Sequence, residues 1–237
     1  MGKTKKIYRY FIMEAIGFYL IAFAAGTISS GVVNIFTHSE YILSLYSVFA
    51  ILNLIVAIAV KGAIEKEYSS FCCIRKDIIR INLVSDLCIG MIEVALLALM
   101  IRFAHSFQQI NASISLLDLE GTMGRLDIIQ HIVFSFLMVM AIQAIVTFDF
   151  MCNTGLLKVF YGGKGVREGG NKVRSVLGFL TYMLMTILIG GVVAVFTQVE
   201  KQYIRTCLLA GLFVIAIVFY TLAAVKTKNK EFNVENE

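Results

Sequence analysis

The stretch IRTCLLAGLFVIAIVFYTLAAV, residues 204–225, carries no charge between Arg205 and Lys226. A helix rises about 1.5 Å per residue and the hydrocarbon core of a bilayer is about 30 Å thick, so roughly 20 apolar residues suffice to cross it. This stretch meets that length. Working back along the chain, five more pass the same test, at about 10–35, 42–60, 79–104, 128–152 and 174–198. The first is too long an apolar run for a cleaved signal peptide, and further spans follow it. The reading is an all-α polytopic membrane protein of about six transmembrane helices. It forms a single domain over residues 1–230, followed by a polar tail at 231–237.

Composition agrees. Of 237 residues, 59% are hydrophobic and 16% are charged, and the mean hydropathy is +0.82. Soluble domains run at about 45–50% apolar and about 25% charged, so a water-soluble fold could not bury this excess. Proline and tryptophan are both absent. The first absence removes the usual helix breaker at membrane depth. The second leaves the interfacial belt to 10 tyrosines and 18 phenylalanines.

Lysine and arginine set the direction of the spans. On one side of the membrane lie 17 of them, in the four groups Lys3–Arg9, Lys61–Arg80, Lys158–Arg174 and Lys226–Lys230. The other side holds four: Arg102, Arg125, Lys201 and Arg205. By the positive-inside rule both termini are cytoplasmic. The formal charge of +5 is then a mark of topology, and no nucleic-acid partner is implied, since a basic binding patch needs a soluble surface. The short external loops at 37–41 and 199–203 make antiparallel hairpins of spans one with two and five with six. The longer external loop at about 105–127 contains Ile114, Leu116, Leu117 and Leu119, apolar enough to lie along the membrane surface.

Small residues recur at a spacing of four in two spans: Ala22, Gly26 and Ser30 in the first, and Thr186, Gly190 and Ala194, beside Gly191, in the fifth. Such stripes let helix backbones approach in lipid. Packing within the chain is the favoured reading, and a dimer contact or a substrate wall the alternative.

Four acidic residues fall in or at the edges of spans: Glu14, Asp86, Glu93 and Asp149. Ionisable groups at depth are costly and invite a functional reading. Glu14 and Asp149 lie near cytoplasmic ends, where headgroup solvation or pairing with Arg9 or Lys158 accounts for them. Asp86 and Glu93 are seven apart and share a face of the third span. Asp86 reads as structural. Glu93, near mid-span, is either a structural hydrogen-bonding group reaching Ser135 or Gln143, or part of a proton or cation relay. His38, His105 and His131 lie towards the external side and read as solvated there. Their spacing forms no metal site, and Cys72, Cys73, Cys88, Cys152 and Cys207 supply no ligand cluster. A disulfide at the reducing cytoplasmic face is not expected.

No nucleotide-binding, zinc-protease or serine-hydrolase signature occurs. Gly162-Gly163-Lys164-Gly165 is a decoy: no strand precedes it and no Ser or Thr follows its lysine to hold a metal. The chain reads as no enzyme, with no catalytic residue and no cofactor.

The most informative loop is Lys61-Gly62-Ala63-Ile64-Glu65-Lys66-Glu67-Tyr68-Ser69-Ser70-Phe71-Cys72-Cys73-Ile74-Arg75-Lys76-Asp77. Ile64, Tyr68, Phe71 and Cys72 recur at helical spacing and make one apolar stripe. This describes a short amphipathic helix at the cytoplasmic face, either resting on lipid or docking a partner. The segment resembles the first cytoplasmic loop of small ABC-2-like permeases, the membrane subunits of ABC transporters of Gram-positive bacteria. In those subunits a Glu-x-x-aromatic stretch precedes a Ser-Arg-Lys element, matched here by Glu65 to Phe71 and by Arg75-Lys76. Gly155 to Gly165 is similar to the glycine- and aromatic-rich turn after the fourth helix of the same group. Cys72-Cys73-Ile74 replace the usual Gly and Ser, and the external loop between the fifth and sixth spans is too short for the re-entrant helices of larger ABC-2 permeases.

The resemblance implies a permease subunit of an exporter, acting as a homodimer or with a homologous second permease. A separate cytoplasmic ATPase would dock on 61–77, with help from 158–174. Glu65, Glu67, Tyr68, Phe71, Arg75 and Lys76 would carry coupling. The cargo would be hydrophobic or amphipathic, with antimicrobial peptides and self-immunity the natural setting. The alternatives are a proton-coupled transporter or channel using Glu93 and Asp86, and a membrane scaffold or immunity protein.

Overall fold

The computed structural model describes residues 51, 53–62, 78–92, 94–95, 125–152, 156–157, 172–199 and 201–229, with residues 9, 13, 16–17, 20–21 and 24 near the N-terminus. The described residues are helical apart from short turns. Five helices carry the account: α1 at Asn53–Gly62, α2 at 78–92, α3 at Arg125–Met151, α4 at Lys172–Gln198 and α5 at Gln202–Asn229. Three segments are long and apolar enough to cross a membrane: Ile129–Met151, Ser175–Phe196 and Gln202–Thr227. They coincide within three residues with the fourth, fifth and sixth expected spans. α1 and α2 lie in the second and third, and the helical positions from Arg9 to Ala24 fall largely in the first.

Helix α3 is the centre of the bundle. Of its spanning segment 67% is buried, against 17% in each of the segments from α4 and α5. Its apolar residues go all the way round, as suits a helix surrounded by others. Phe134, Met138, Ala141, Ile142, Val146 and Phe150 share one buried cluster with Leu54, Ala57 and Ile58 of α1, with Ile189, Val193 and Phe196 of α4, and with Leu212 of α5. Exposed Leu180, Leu184, Ile187, Phe213, Ile217 and Leu222 cover the outer faces of α4 and α5, where lipid is the matching solvent.

Residue numbers along the contacts give the helix directions. Phe148 meets Phe219 edge to face, with centroids 5.5 Å apart, and Met151 shares a cluster with Ala223, while Met140 and Ala144 pack with Ala216. α3 and α5 therefore run parallel. Phe134 near the start of α3 stacks on Phe196 near the end of α4, at 3.9 Å, so α4 runs the other way. Only three residues separate the end of α4 from the start of α5. Val199 N–H donates to the Val195 carbonyl at 3.1 Å, and Ile204 N–H to the Lys201 carbonyl at 3.0 Å. The expected tight turn is present.

Hydroxyls mid-helix are satisfied locally. Thr181, Thr186, Thr206, Thr221 and Thr227 each donate to the carbonyl four residues earlier, which removes the need for water at depth.

Two expectations change. His131 is buried, not solvated: its ring meets Phe196 edge-on at 5.1 Å, and the Arg205 guanidinium lies 5.5 Å from the centroid of the same ring. Phe196 thus gathers two basic groups and Phe134 at one end of the bundle. Nor do Gly190 and Gly191 of the fifth-span stripe make a close helix contact among the described residues. A Cβ added at Gly190 or Gly191 meets no atom within 4 Å. The packed face of α4 is Ile189, Val193 and Phe196, about 100° round the helix from Gly190. The Ala22, Gly26 and Ser30 stripe lies outside the described residues.

The close approach is elsewhere. A Cβ added at Gly90 would lie 2.9 Å from Cε2 and 3.0 Å from Cδ2 of Phe136, whose ring packs against Met140, Ala144 and Ala216. Overpacking of this kind costs about 1–3 kcal/mol, more than the helix preference of alanine over glycine, about 1 kcal/mol, returns. Gly90→Ala is therefore expected to lower unfolding stability in detergent, and Gly191→Ala, facing open space, to hold or raise it. Equal effects at the two sites would contradict this packing.

Candidate functional site

At the end of the bundle where α1 and α5 finish and α2 begins, the interior is polar. Lys61 is the penultimate residue of α1. Eight residues earlier is Asn53 and four earlier Ala57, so the three share one helix face. All three are buried. On α2, Asn82, Ser85 and Asp86 recur at spacings of three and four, and all three are buried. These polar faces meet. Lys61 Nζ donates to Asp86 Oδ1 at 2.5 Å, with the two side chains 2% and 0% exposed, and to Asn82 Oδ1 at 2.9 Å. The Asn82 amide donates in turn to the Ile78 carbonyl at 3.1 Å, which orients it. From α5, the Tyr220 hydroxyl donates to Asp86 Oδ2 at 2.6 Å.

Both carboxylate oxygens of Asp86 are thus engaged, each by a different helix. A buried ion pair recovers its desolvation cost only when hydrogen bonds complete the geometry, and Asn82 and Tyr220 supply them. On the same helices and on α3, Val56, Val60, Ile78, Ile81, Ile89, Val139, Met151 and Ala223 form one buried apolar cluster. Lys61 takes a different place from the one its position suggests: at the end of an apolar run it reads as a solvated loop charge, yet it is buried. The signal that identifies it is the four-residue spacing from Asn53 and Ala57, together with the need of a buried acid for a cation.

Asp149 forms a second root at the same end. Its Oδ1 and Oδ2 accept from the backbone N–H groups of Leu156 and Leu157, each at 2.9 Å. Leu157 is buried in the main cluster, and Cys152 N–H donates to the Phe148 and Asp149 carbonyls at 3.1 Å. The carboxylate holds the turn that follows α3, a role distinct from headgroup solvation. The described residues that bound 63–77, and Leu157 just before 158–171, are thus anchored in the bundle. Glu65, Glu67, Tyr68, Phe71, Arg75 and Lys76, together with Glu93 and Glu14, lie outside the described residues. Among the described residues no group of three His, Cys, Asp or Glu side chains converges as a metal site would require.

Comparisons with family models, with curated proteins and with solved structures gave no match.

Removing one partner of the pair leaves the other charge buried, at a cost of about 3–5 kcal/mol. Asp86→Leu and Lys61→Met are each expected to destabilise the protein by that order, and the double variant by much less. Tyr220→Phe removes one hydrogen bond to a charged acceptor, about 1.5–3 kcal/mol. Urea unfolding in detergent micelles measures all four, and additive losses in the double variant would contradict the pairing.

Proposed function

We propose that the chain is the membrane-spanning permease subunit of an ABC exporter, driven by a separate cytoplasmic ATPase that docks on the loop at 61–77 beyond its buried first residues, Lys61 and Gly62, with help from 158–174. The observation that carries the reading is the Lys61–Asp86–Tyr220 contact. It ties the two helices flanking segment 63–77 to each other and to α5, so a push on that segment reaches three helices together. Coupling of this kind needs a stiff root beneath a docking loop, because a loop moving on loose helix ends would dissipate the displacement. Glu65, Glu67, Tyr68, Phe71, Arg75 and Lys76 form the docking surface in this reading, and the apolar wall of the bundle suits a hydrophobic or amphipathic cargo such as a peptide. The subunit works as a homodimer or beside a homologous permease. The proton-coupled alternative loses ground at Asp86, whose charge is already committed to Lys61, and rests on Glu93.

The test is purification of the tagged protein from its native cell in mild detergent, followed by native mass spectrometry and an ATP hydrolysis assay. A co-purifying ATPase is expected, and it should be lost in the Tyr68→Ala/Phe71→Ala double variant while the permease stays folded. A lone 26.4 kDa species or a homo-oligomer, free of ATPase in several detergents, would overturn the proposal.

A further inference from the structure

α3 is the central helix, yet it contributes no residue to the contact of Lys61, Asn82, Asp86 and Tyr220. It meets α1, α2 and α5 in the three buried apolar clusters. Apolar packing holds helices together but tolerates changes of partner and register. The ion pair that sets the register of α1, α2 and α5 therefore does not set that of α3.

The polar hold on α3 is at its cytoplasmic end. The helix closes at Cys152, whose N–H donates to the Phe148 and Asp149 carbonyls, both at 3.1 Å. Asp149 then reaches forward across the turn. Its Oδ1 accepts the Leu156 N–H seven residues on, and its Oδ2 the Leu157 N–H eight residues on, each at 2.9 Å. Two adjacent N–H groups on the two oxygens of one carboxylate fix direction as well as distance, and bonds to an ionised acceptor are roughly twice as strong as neutral ones. Leu157 adds a second hold. It is 1% exposed and shares the cluster of Val146 and Phe150 of α3 with Ala57 and Ile58 of α1. A turn that only reversed the chain at the headgroups could leave these amides to water, without a carboxylate inside an apolar span. Leu157 is also the residue next to 158, so no free length of chain separates this clamp from the second cytoplasmic segment.

We propose that Asp149 is a positioning residue for coupling: its carboxylate ties the segment that starts at 158 to α3, so a cytoplasmic partner engaging that segment moves the central helix directly. This route is separate from the one through Lys61 and Asp86. The inference rests on the reading that an ATPase docks at this face. It makes the docking surface bipartite, with one part rooted in α1, α2 and α5 and the other in α3.

Hydrogen exchange reads the two routes separately, because the clamp is made of backbone amides. The complex is purified from its native cell, placed in nanodiscs, and compared with and without ATP trapped by vanadate. In the unmutated complex, nucleotide is expected to change exchange both in α2 and in the stretch from the end of α3 to Leu157. In Asp149→Asn the ATPase should still co-purify through the first loop, and the α2 response should persist. The response at the end of α3 should fall to about half or less, since the charge and one of the two carboxylate acceptors are gone. A response at α3 that is unchanged by the substitution, or one that falls in step with that of α2, would overturn the proposal. If the variant fails to fold or loses the ATPase, the unmutated complex decides: α2 responding while α3 and Leu157 stay silent would overturn the second route, and both responding supports it. Failure of the underlying reading looks different, since no ATPase would then co-purify with the unmutated protein.

Discussion

A charge that is one of a pair can live in an apolar interior, and a charge that is alone cannot. That constraint organises this molecule at the end where α1 and α5 finish and α2 begins. Asp86 lies a little over two turns into α2 and is fully buried. Its carboxylate fixes where Lys61 and Tyr220 must be, and through them how three helices align. Apolar contacts alone would allow these helices to slide or rotate, because one branched side chain packs on another with little preference for partner. The Lys61–Asp86 contact, completed by Asn82 and Tyr220, is satisfied in one arrangement of the helices. The ion pair thus supplies registry to a bundle whose adhesion comes from packing.

The rest of the fold is consistent with that division of labour. The core follows α3, with Phe134, Ile142, Val146 and Phe150 fully enclosed, and the neighbouring helices settle against it by shape. Where shape is most demanding, at Gly90, a missing side chain admits the ring of Phe136. At the opposite end Phe196 takes over the organising role, with Phe134 stacked on one face and the His131 ring and Arg205 guanidinium close by. The two ends differ in chemistry. One is held by an ionic and hydrogen-bonded cluster beneath the basic segments, the other by aromatic surface that shelters cations.

Much of this was legible in the sequence, for reasons that also explain what was not. The bilayer imposes a minimum length of apolar helix, so spans 128–152, 174–198 and 204–225 matched Ile129–Met151, Ser175–Phe196 and Gln202–Thr227 closely. The cost of an ionisable group at depth drew attention to Asp86 along with Glu14, Glu93 and Asp149, and Asp86 read as structural. Its partners were harder to find, because Lys61 and Tyr220 are 25 and 134 residues away, and no periodicity encodes a contact between helices. Lys61 was further disguised by its place, one residue past the apolar run, where a lysine is ordinarily a topology marker. His131 was misjudged for the same reason: a polar residue near a helix end reads as solvated unless the aromatic that covers it, Phe196, is known to lie there. The central position of α3 was hidden because every span is about equally apolar.

The most direct test of the organising contact uses the unmutated protein in its native membrane. A membrane-soluble carbodiimide activates a buried carboxyl group, and an amine in contact with it then forms an amide as the urea leaves. The account predicts a peptide pair joined between Lys61 Nζ and Asp86, lighter by one water than the two peptides together, found by mass spectrometry after digestion. Asp86 carrying only a rearranged carbodiimide adduct, with Lys61 open to a water-soluble amine reagent, would contradict the ion pair and the alignment of helices built on it.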